Sequence, residues 1–277
     1  ESNYFGIFSD GKTFRWRLRQ GEPITFLAHP EVVDISLGTW CNGGCPYCYT
    51  SATKTGVMYE DVVAKVRSYF GSIPEEHRPF QVAIGGGGEP TYHPEFTGVL
   101  EALHKLCIVP NYTTHGLALS QRILSATERW CGGVAVTAHP HLDWQKGVRS
   151  LIGSGIETNI HVIVGRPGGS ERARAIREMY PDVKSVVLLP YQQTGFATDA
   201  VDAEDMLRSV HLMRDGGYAL GALFDTTISD NQELFRDIGI SVFEHQVYSG
   251  YLMLDNEMVM RRSSYDLRER GTGVANC

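Results

Sequence analysis

Between residues 32 and 224 short apolar runs alternate with amphipathic stretches, and this alternation restricts the fold more than any other feature. Runs at about 32–39, 80–84, 108–114, 133–137, 158–164, 185–189 and 218–224 have the composition of buried strands. Between the first of these, apolar residues recur at helical spacing. Val62, Val63, Val66, Tyr69 and Phe70 share one face over 58–71, and Phe96, Val99, Leu100, Leu103 and Leu106 do so over 94–106. Further helices are predicted at 120–129 behind a Ser120 cap, and at 144–153, 170–180 and 203–215. Strands and helices alternating every 25–30 residues or so imply right-handed βαβ crossovers and a parallel sheet. The expected fold class is α/β, a partial (βα)6-type TIM-like barrel.

Three domains are expected. Residues 1–30 form a hairpin preamble, with strands at 4–8 and 13–18 around a Ser-Asp-Gly turn. Residues 31–225 form the barrel. Residues 226–277 form a C-terminal extension whose hairpin turns on two residues, Asp255 and Asn256. At 277 residues and 42% hydrophobic content, the chain can bury a core of this size.

Chemistry-bearing residues collect where the predicted strands end. After the first strand stands Cys41-Asn42-Gly43-Gly44-Cys45-Pro46-Tyr47-Cys48. Thiolates at that spacing can turn toward one centre, and soft sulfur selects zinc, copper or iron–sulfur clusters. Tetrahedral zinc usually takes four protein ligands in paired spacings, and the sequence holds no second pair. Three close thiols without a fourth would leave one iron of a cluster open to a ligand that is not protein. The second strand runs into Gly85-Gly86-Gly87-Gly88-Glu89-Pro90, and later strands end at Thr114-His115 and Thr137-Ala138-His139. Parallel α/β folds build their sites at these strand ends. Asn159 and His161 share one face of the fifth strand, because side chains alternate with period two.

Composition removes other classes. No apolar run reaches the roughly 18 residues of a membrane span, and the N-terminal stretch has no apolar export core. The expected location is the cytoplasm, where thiols stay reduced. A net charge of −7 opposes a broad nucleic-acid surface, leaving Arg261, Arg262, Arg268 and Arg270 as a local patch. Cys107 and Cys131 stand alone and read as small buried hydrophobes; Cys277 has no assigned role.

These residues resemble the radical S-adenosylmethionine superfamily. Its hallmark is CxxxCxxC with an aromatic residue before the third thiol, matched by Cys41, Cys45, Cys48 and Tyr47. Gly87-Gly88-Glu89-Pro90 matches its glycine-rich turn one βα unit later. The resemblance implies a [4Fe–4S] cluster on the three cysteines. It also implies S-adenosyl-L-methionine on the open iron, with its ammonium near Gly86, Gly87, Gly88 and Glu89 and its adenine near Tyr47. Thr137 and His139 stand where relatives contact the ribose, and Leu188, Leu189 and Pro190 where an apolar wall meets adenine. Glycines 85–88 are expected to let the backbone approach this ligand. Tyr191, Gln192 and Gln193 are placed toward substrate, and His93, His115 and His141 read as ordinary loop residues.

The implied activity is reductive cleavage of S-adenosylmethionine to a 5′-deoxyadenosyl radical that abstracts hydrogen from a substrate. An external one-electron reductant, flavodoxin- or ferredoxin-like, is implied with it. The wording Cys-Asn-x-x-Cys-x-Tyr-Cys-Tyr, ending at Tyr49, is similar to the branch that modifies peptides and proteins. A peptide or protein side chain is therefore the expected substrate, and a nucleotide or modified base the alternative. Tyr248, Ser249, Ser263 and Ser264 stand where such relatives carry further cysteines, so no auxiliary cluster is expected. A rival of another class is a non-catalytic iron–sulfur or zinc module completed by Cys277 or a histidine.

Overall fold

The computed structural model describes residues 3–7, 13–17, 30, 32–221 and 249–261. Strands β1 (Asn3–Ile7) and β2 (Thr13–Arg17) pair antiparallel, from Asn3 opposite Arg17 to Ile7 opposite Thr13. The expected turn at 9–11 lies outside the described residues.

Six βα units follow. They are β3 (Val32–Ser36) with α1 (Val62–Gly71), β4 (Gln81–Ile84) with α2 (Phe96–Lys105), and β5 (Val109–Thr114) with α3 (Gln121–Trp130). Then come β6 (Gly133–Thr137) with α4 (Trp144–Gly153), β7 (Thr158–Val164) with α5 (Gly169–Met179), and β8 (Ser185–Pro190) with α6 (Ala203–His211). Short strands β9 (Tyr218–Leu220), β10 (Ser249–Met253) and β11 (Met260–Arg261) complete the described elements. The sheet order is β11-β10-β3-β4-β5-β6-β7-β8-β9. All its neighbours are parallel except β10 and β11. Among the described residues β9 and β11 are the outermost strands, giving a partial TIM-like barrel, as the alternation predicts.

Alternation along each strand splits the sheet into two faces. Val33, Ile35, Val82, Ile84, Tyr112, Val134, Val136, Ile160, Val162, Val186 and Leu188 are buried in one core with the apolar helix faces. Phe96 of α2 meets the Tyr112 ring edge-on, with centroids 5.0 Å apart. The residues between them face inward: Asp34, Ala83, Asn111, Thr113, Ala135, Thr137, Asn159, His161, Ser185, Val187 and Leu189. A barrel interior filled by side chains carries bulky branched residues there. Here that face is mostly small or polar, with branched Val187 and Leu189 on β8.

Four local readings change. The first strand stops at Ser36, where the Ser36 hydroxyl donates to the Gly38 carbonyl at 2.9 Å and the chain bends toward the thiols. Helix α1 begins only at Val62, after Asp61 adopts a left-handed φ of 54°. The C-terminal hairpin forms, and it joins the barrel sheet. β10 lies parallel to β3, with Tyr251 opposite Asp34 and Leu252 opposite Ile35, and so extends the barrel sheet. Its partner residues are Leu252 and Met260, so the connection is longer than the expected two residues. The Asp255 carboxylate shapes it by accepting from the Glu257 and Met258 amides at 3.0 and 2.9 Å. Cys107 is also not buried: it is exposed, at a left-handed φ of 60° after α2. Cys131 is half-buried against the core. Among the described residues no helix is long and apolar enough to cross a membrane.

Candidate functional site

The loop from β3 carries the three thiols across the C-terminal mouth of the sheet. Its frame is backbone: Cys41 N–H donates to the Thr53 carbonyl at 2.9 Å, and Cys48 N–H to the Cys45 carbonyl at 3.2 Å. Gly43 lies against two of the thiols. A Cβ there would stand 3.4 Å from Cys41 Sγ, 3.5 Å from Cys45 Sγ and 3.6 Å from His115 Cδ2. Donors already point at sulfur. Gly43 N–H reaches Cys41 Sγ at 3.3 Å, Ala52 N–H reaches Cys48 Sγ at 3.4 Å, and the Thr50 hydroxyl lies 3.3 Å from Cys48 Sγ. Burial pushes the Cys41 thiol up, and burial with the neighbouring Cys48 and Cys41 pushes Cys45 to about 12. Thiols so crowded give up their protons to a cationic centre rather than to water. Among the described residues no three His, Cys, Asp or Glu side chains close around one ion-sized point. This donor set, three cysteine thiols with amide hydrogens aimed at two of the sulfurs, fits an iron–sulfur cluster.

The turn after β4 docks on this loop. Gly88 N–H donates to the Gly38 carbonyl at 2.7 Å, and Glu89 N–H to the Trp40 carbonyl at 2.9 Å. A Cβ on Gly87 would collide with Ser36 Oγ and the Gly38 carbonyl, and one on Gly88 with the Trp40 carbonyl. At Gly87 and Gly88 the protein itself therefore excludes a side chain, through Ser36 Oγ and the Gly38 and Trp40 carbonyls. The Gly86 carbonyl accepts from the Tyr251 hydroxyl of β10 at 3.0 Å, and the Gly87 carbonyl from Thr50 Oγ1 at 3.1 Å.

Glu89 is buried and turned toward β5. Its Oε1 accepts from Thr91 N–H at 3.2 Å, the Thr91 hydroxyl at 2.6 Å and the Thr114 hydroxyl at 2.7 Å; its Oε2 accepts from His115 N–H at 2.8 Å. The carboxylate therefore ties the turn to the end of β5 instead of facing outward.

Around the thiols stands a ring of aromatic and basic groups. Tyr47 OH lies 3.3 Å from His139 Nδ1. Burial, helped by His141 and His115, holds His139 down to about 4, so its ring is neutral. The Arg166 guanidinium lies 4.1 Å over the Tyr47 ring and 5.2 Å from that of Tyr191, a cation–π pairing on both sides. Thr137 ends β6 nearby and is buried. Leu189 faces inward on β8, but Leu188 points into the helix-packed core, because successive side chains alternate. Tyr191 and Gln193 close their own loop, through Tyr191 OH and Gln193 Nε2 to the Asp199 backbone at 3.2 and 2.9 Å. That loop also clasps the thiols: Phe196 N–H donates to the Cys48 carbonyl at 2.9 Å. Asn159 Oδ1 accepts from Ser185 Oγ at 2.7 Å, whereas the buried His161 Nδ1 has no partner.

Sequence reasoning passed over several of these residues. His115 Nε2 lies 2.8 Å from Asn42 Oδ1, and His141 Nε2 3.1 Å from the Gly43 carbonyl, so both brace the thiol loop. Arg166 and Tyr251 carried no sequence signal beyond their types. Cys277 lies outside the described residues.

Comparisons with known proteins agree with this geometry. The family model of the radical SAM superfamily matches residues 35–128, which hold the thiol loop and the glycine turn. Comparison with curated protein sequences finds no match. Among solved structures, Streptococcus suis SuiB bound to precursor peptide SuiA is similar at a TM-score of 0.70 and 14% identity, covering 88% of this chain and 62% of that one. Native anSMEcpe with bound AdoMet is similar at 0.58 and 14%, covering 86% of this chain and 76% of that one. At such identities the likeness is one of fold, and this chain spans less than two thirds of SuiB. The matched segment, the strand-end thiols and the partial barrel together make residues 35–128 similar to the radical S-adenosylmethionine superfamily, whose members work with a [4Fe–4S] cluster and S-adenosylmethionine.

Proposed function

We propose that this protein is a radical enzyme acting on a peptide or protein side chain, with Cys41, Cys45 and Cys48 as the cluster ligands. When bound, the cluster supplies one electron to the S-adenosylmethionine sulfonium, whose cleavage yields the hydrogen-abstracting 5′-deoxyadenosyl group. The chain's own residues ligate, orient and exclude. The Gly86–Glu89 turn, held against the Cys41 loop by two backbone bonds, offers peptide groups to the methionine moiety. Tyr47, with His139 at its hydroxyl and Arg166 over one ring face, keeps its other face for the adenine, and Thr137 and Leu189 would line the ligand from the inward side of β6 and β8.

The observation that carries this reading is the pair of thiols flanking Gly43 on a loop docked to the glycine turn. Support for a peptide substrate comes from the motif wording, and from the two neighbours solved with peptides: SuiB with its precursor, and native anSMEcpe with AdoMet and Cp18Cys peptide at a TM-score of 0.56. An external one-electron donor completes the cycle, and the cytoplasm is the compartment that keeps the thiols reduced.

Anaerobic reconstitution is the first test. The native protein should bind iron with the broad absorbance near 400 nm expected of thiolate-bound clusters, and the Cys41→Ala, Cys45→Ala, Cys48→Ala triple variant should lose both. With dithionite and S-adenosylmethionine, the loaded protein should release 5′-deoxyadenosine. A fully loaded protein that releases none is the non-catalytic module. Strong, salt-dependent binding of RNA or DNA would move the substrate to a nucleotide.

A further inference from the structure

The imidazole of His115 is placed by its neighbours in a single tautomer. Its Nδ1 accepts from Leu117 N–H at 3.2 Å, so the proton sits on Nε2, which donates to Asn42 Oδ1 at 2.8 Å. The geometric approach of Nδ1 to Glu89 Oε2 at 3.5 Å is therefore not an ion pair; the Glu89 oxygen is held by His115 N–H. The Asn42 amide is oriented in turn, because its Nδ2 donates to Tyr92 OH at 2.9 Å. Tyr92 packs against Trp40 at 5.0 Å and against the His115 ring at 6.0 Å. Asn42 is thus gripped at both ends of its side chain. The residue after it, Gly43, is gripped at its carbonyl by His141. Between these two grips lies the Gly43 N–H, aimed at Cys41 Sγ.

We propose that His115, acting through Asn42, is a positioning residue that aims the Gly43 amide at the Cys41 sulfur and so sets the reduction potential of the cluster. An amide hydrogen pointed at a ligand sulfur stabilises the extra negative charge of the reduced state and raises the potential. Nothing local to the loop would hold that amide in place: Gly43 has no side chain to restrict it, and Gly44 beside it has a φ of 62°. The brace comes instead from β5, through a residue 73 positions away.

This inference rests on the three cysteines holding a cluster, and potentiometric titration of the reconstituted holoprotein separates the two. Iron content is measured first; a native protein that binds no iron ends the cluster reading itself, before any variant is compared. With loaded protein, His115→Phe keeps the ring but removes the donor, and Asn42→Ala removes the acceptor. Both should load iron and shift the midpoint to more negative values, by similar amounts. The double variant should shift no further than the larger single one, since both act through one contact. His115→Gln, whose amide can donate to Asn42, should recover most of the native midpoint. A native midpoint in loaded His115→Phe and Asn42→Ala overturns the proposal and leaves the cluster assignment standing. If His115→Phe does not fold, Asn42→Ala decides alone, because it leaves β5 and its bonds to Glu89 untouched.

Discussion

At Gly88 an added methyl has nowhere to go, because the Trp40 carbonyl already occupies the space. The contact joins residues 48 apart, so the sequence shows only that a side chain is unwelcome, not what excludes it. The expectation of a ligand and the finding of backbone are two causes with the same signature. They part on substitution. Gly88→Ala should cost about 1–3 kcal/mol of stability through overpacking, read as a lower urea midpoint in protein without cofactor. An unchanged midpoint would return the glycine to a ligand-clearing role. Glu89 is a similar case. Its acidity was legible, but its four donors come from Thr91, Thr114 and His115, and only the approach of β4 to β5 brings the last two within reach.

Among the elements, helix α6 shapes the site from a distance. Asp205 on its first turn is wholly buried and accepts from Gly165 N–H at 2.7 Å, Ser170 N–H at 2.8 Å and the Ser170 hydroxyl at 2.9 Å. It satisfies amides that the β7–α5 connection would leave bare, and it favours the positive start of α5. The same connection carries Arg166 to Tyr47. Asp205→Ala leaves buried donors without partners and should lower stability by about 3 kcal/mol. Asp205→Asn, which keeps one acceptor oxygen, should lose less. Equal urea midpoints for native and Ala proteins would show that the connection holds itself. Helices α1 to α6 were legible because their buried stripes repeat at helical spacing, and the strands because apolar runs are short and bounded. The place of β10 was not, since its register with β3 joins residues over two hundred positions apart.

Across the whole molecule, buried titratable groups predict how stability follows pH. Burial holds His161 down to about 4 from an ordinary 6.5, and burial with His141 and His115 does the same to His139. Their folded pKa values lie below the unfolded ones, so unfolding takes up protons. Their contribution is complete above about 6.5 and is lost as pH falls toward 4. Two protons correspond to a slope of about 2.7 kcal/mol per pH unit at its steepest. Urea unfolding should therefore show stability falling as pH drops from 6.5 toward 4. A flat profile would mean that these groups are as hydrated in the fold as outside it. What the sequence determined by itself was periodic or contiguous: alternating elements, three thiols in eight residues, a glycine turn one unit later. Those properties are carried by local spacing, which the chain displays before it folds. Only the tertiary structure decided that Glu89 turns inward, that His115 and His141 brace the thiol loop, and that the last hairpin extends the sheet beside β3. Each of these depends on which distant strands become neighbours, and hydrogen bonds a few ångströms long are specified only after that choice is made.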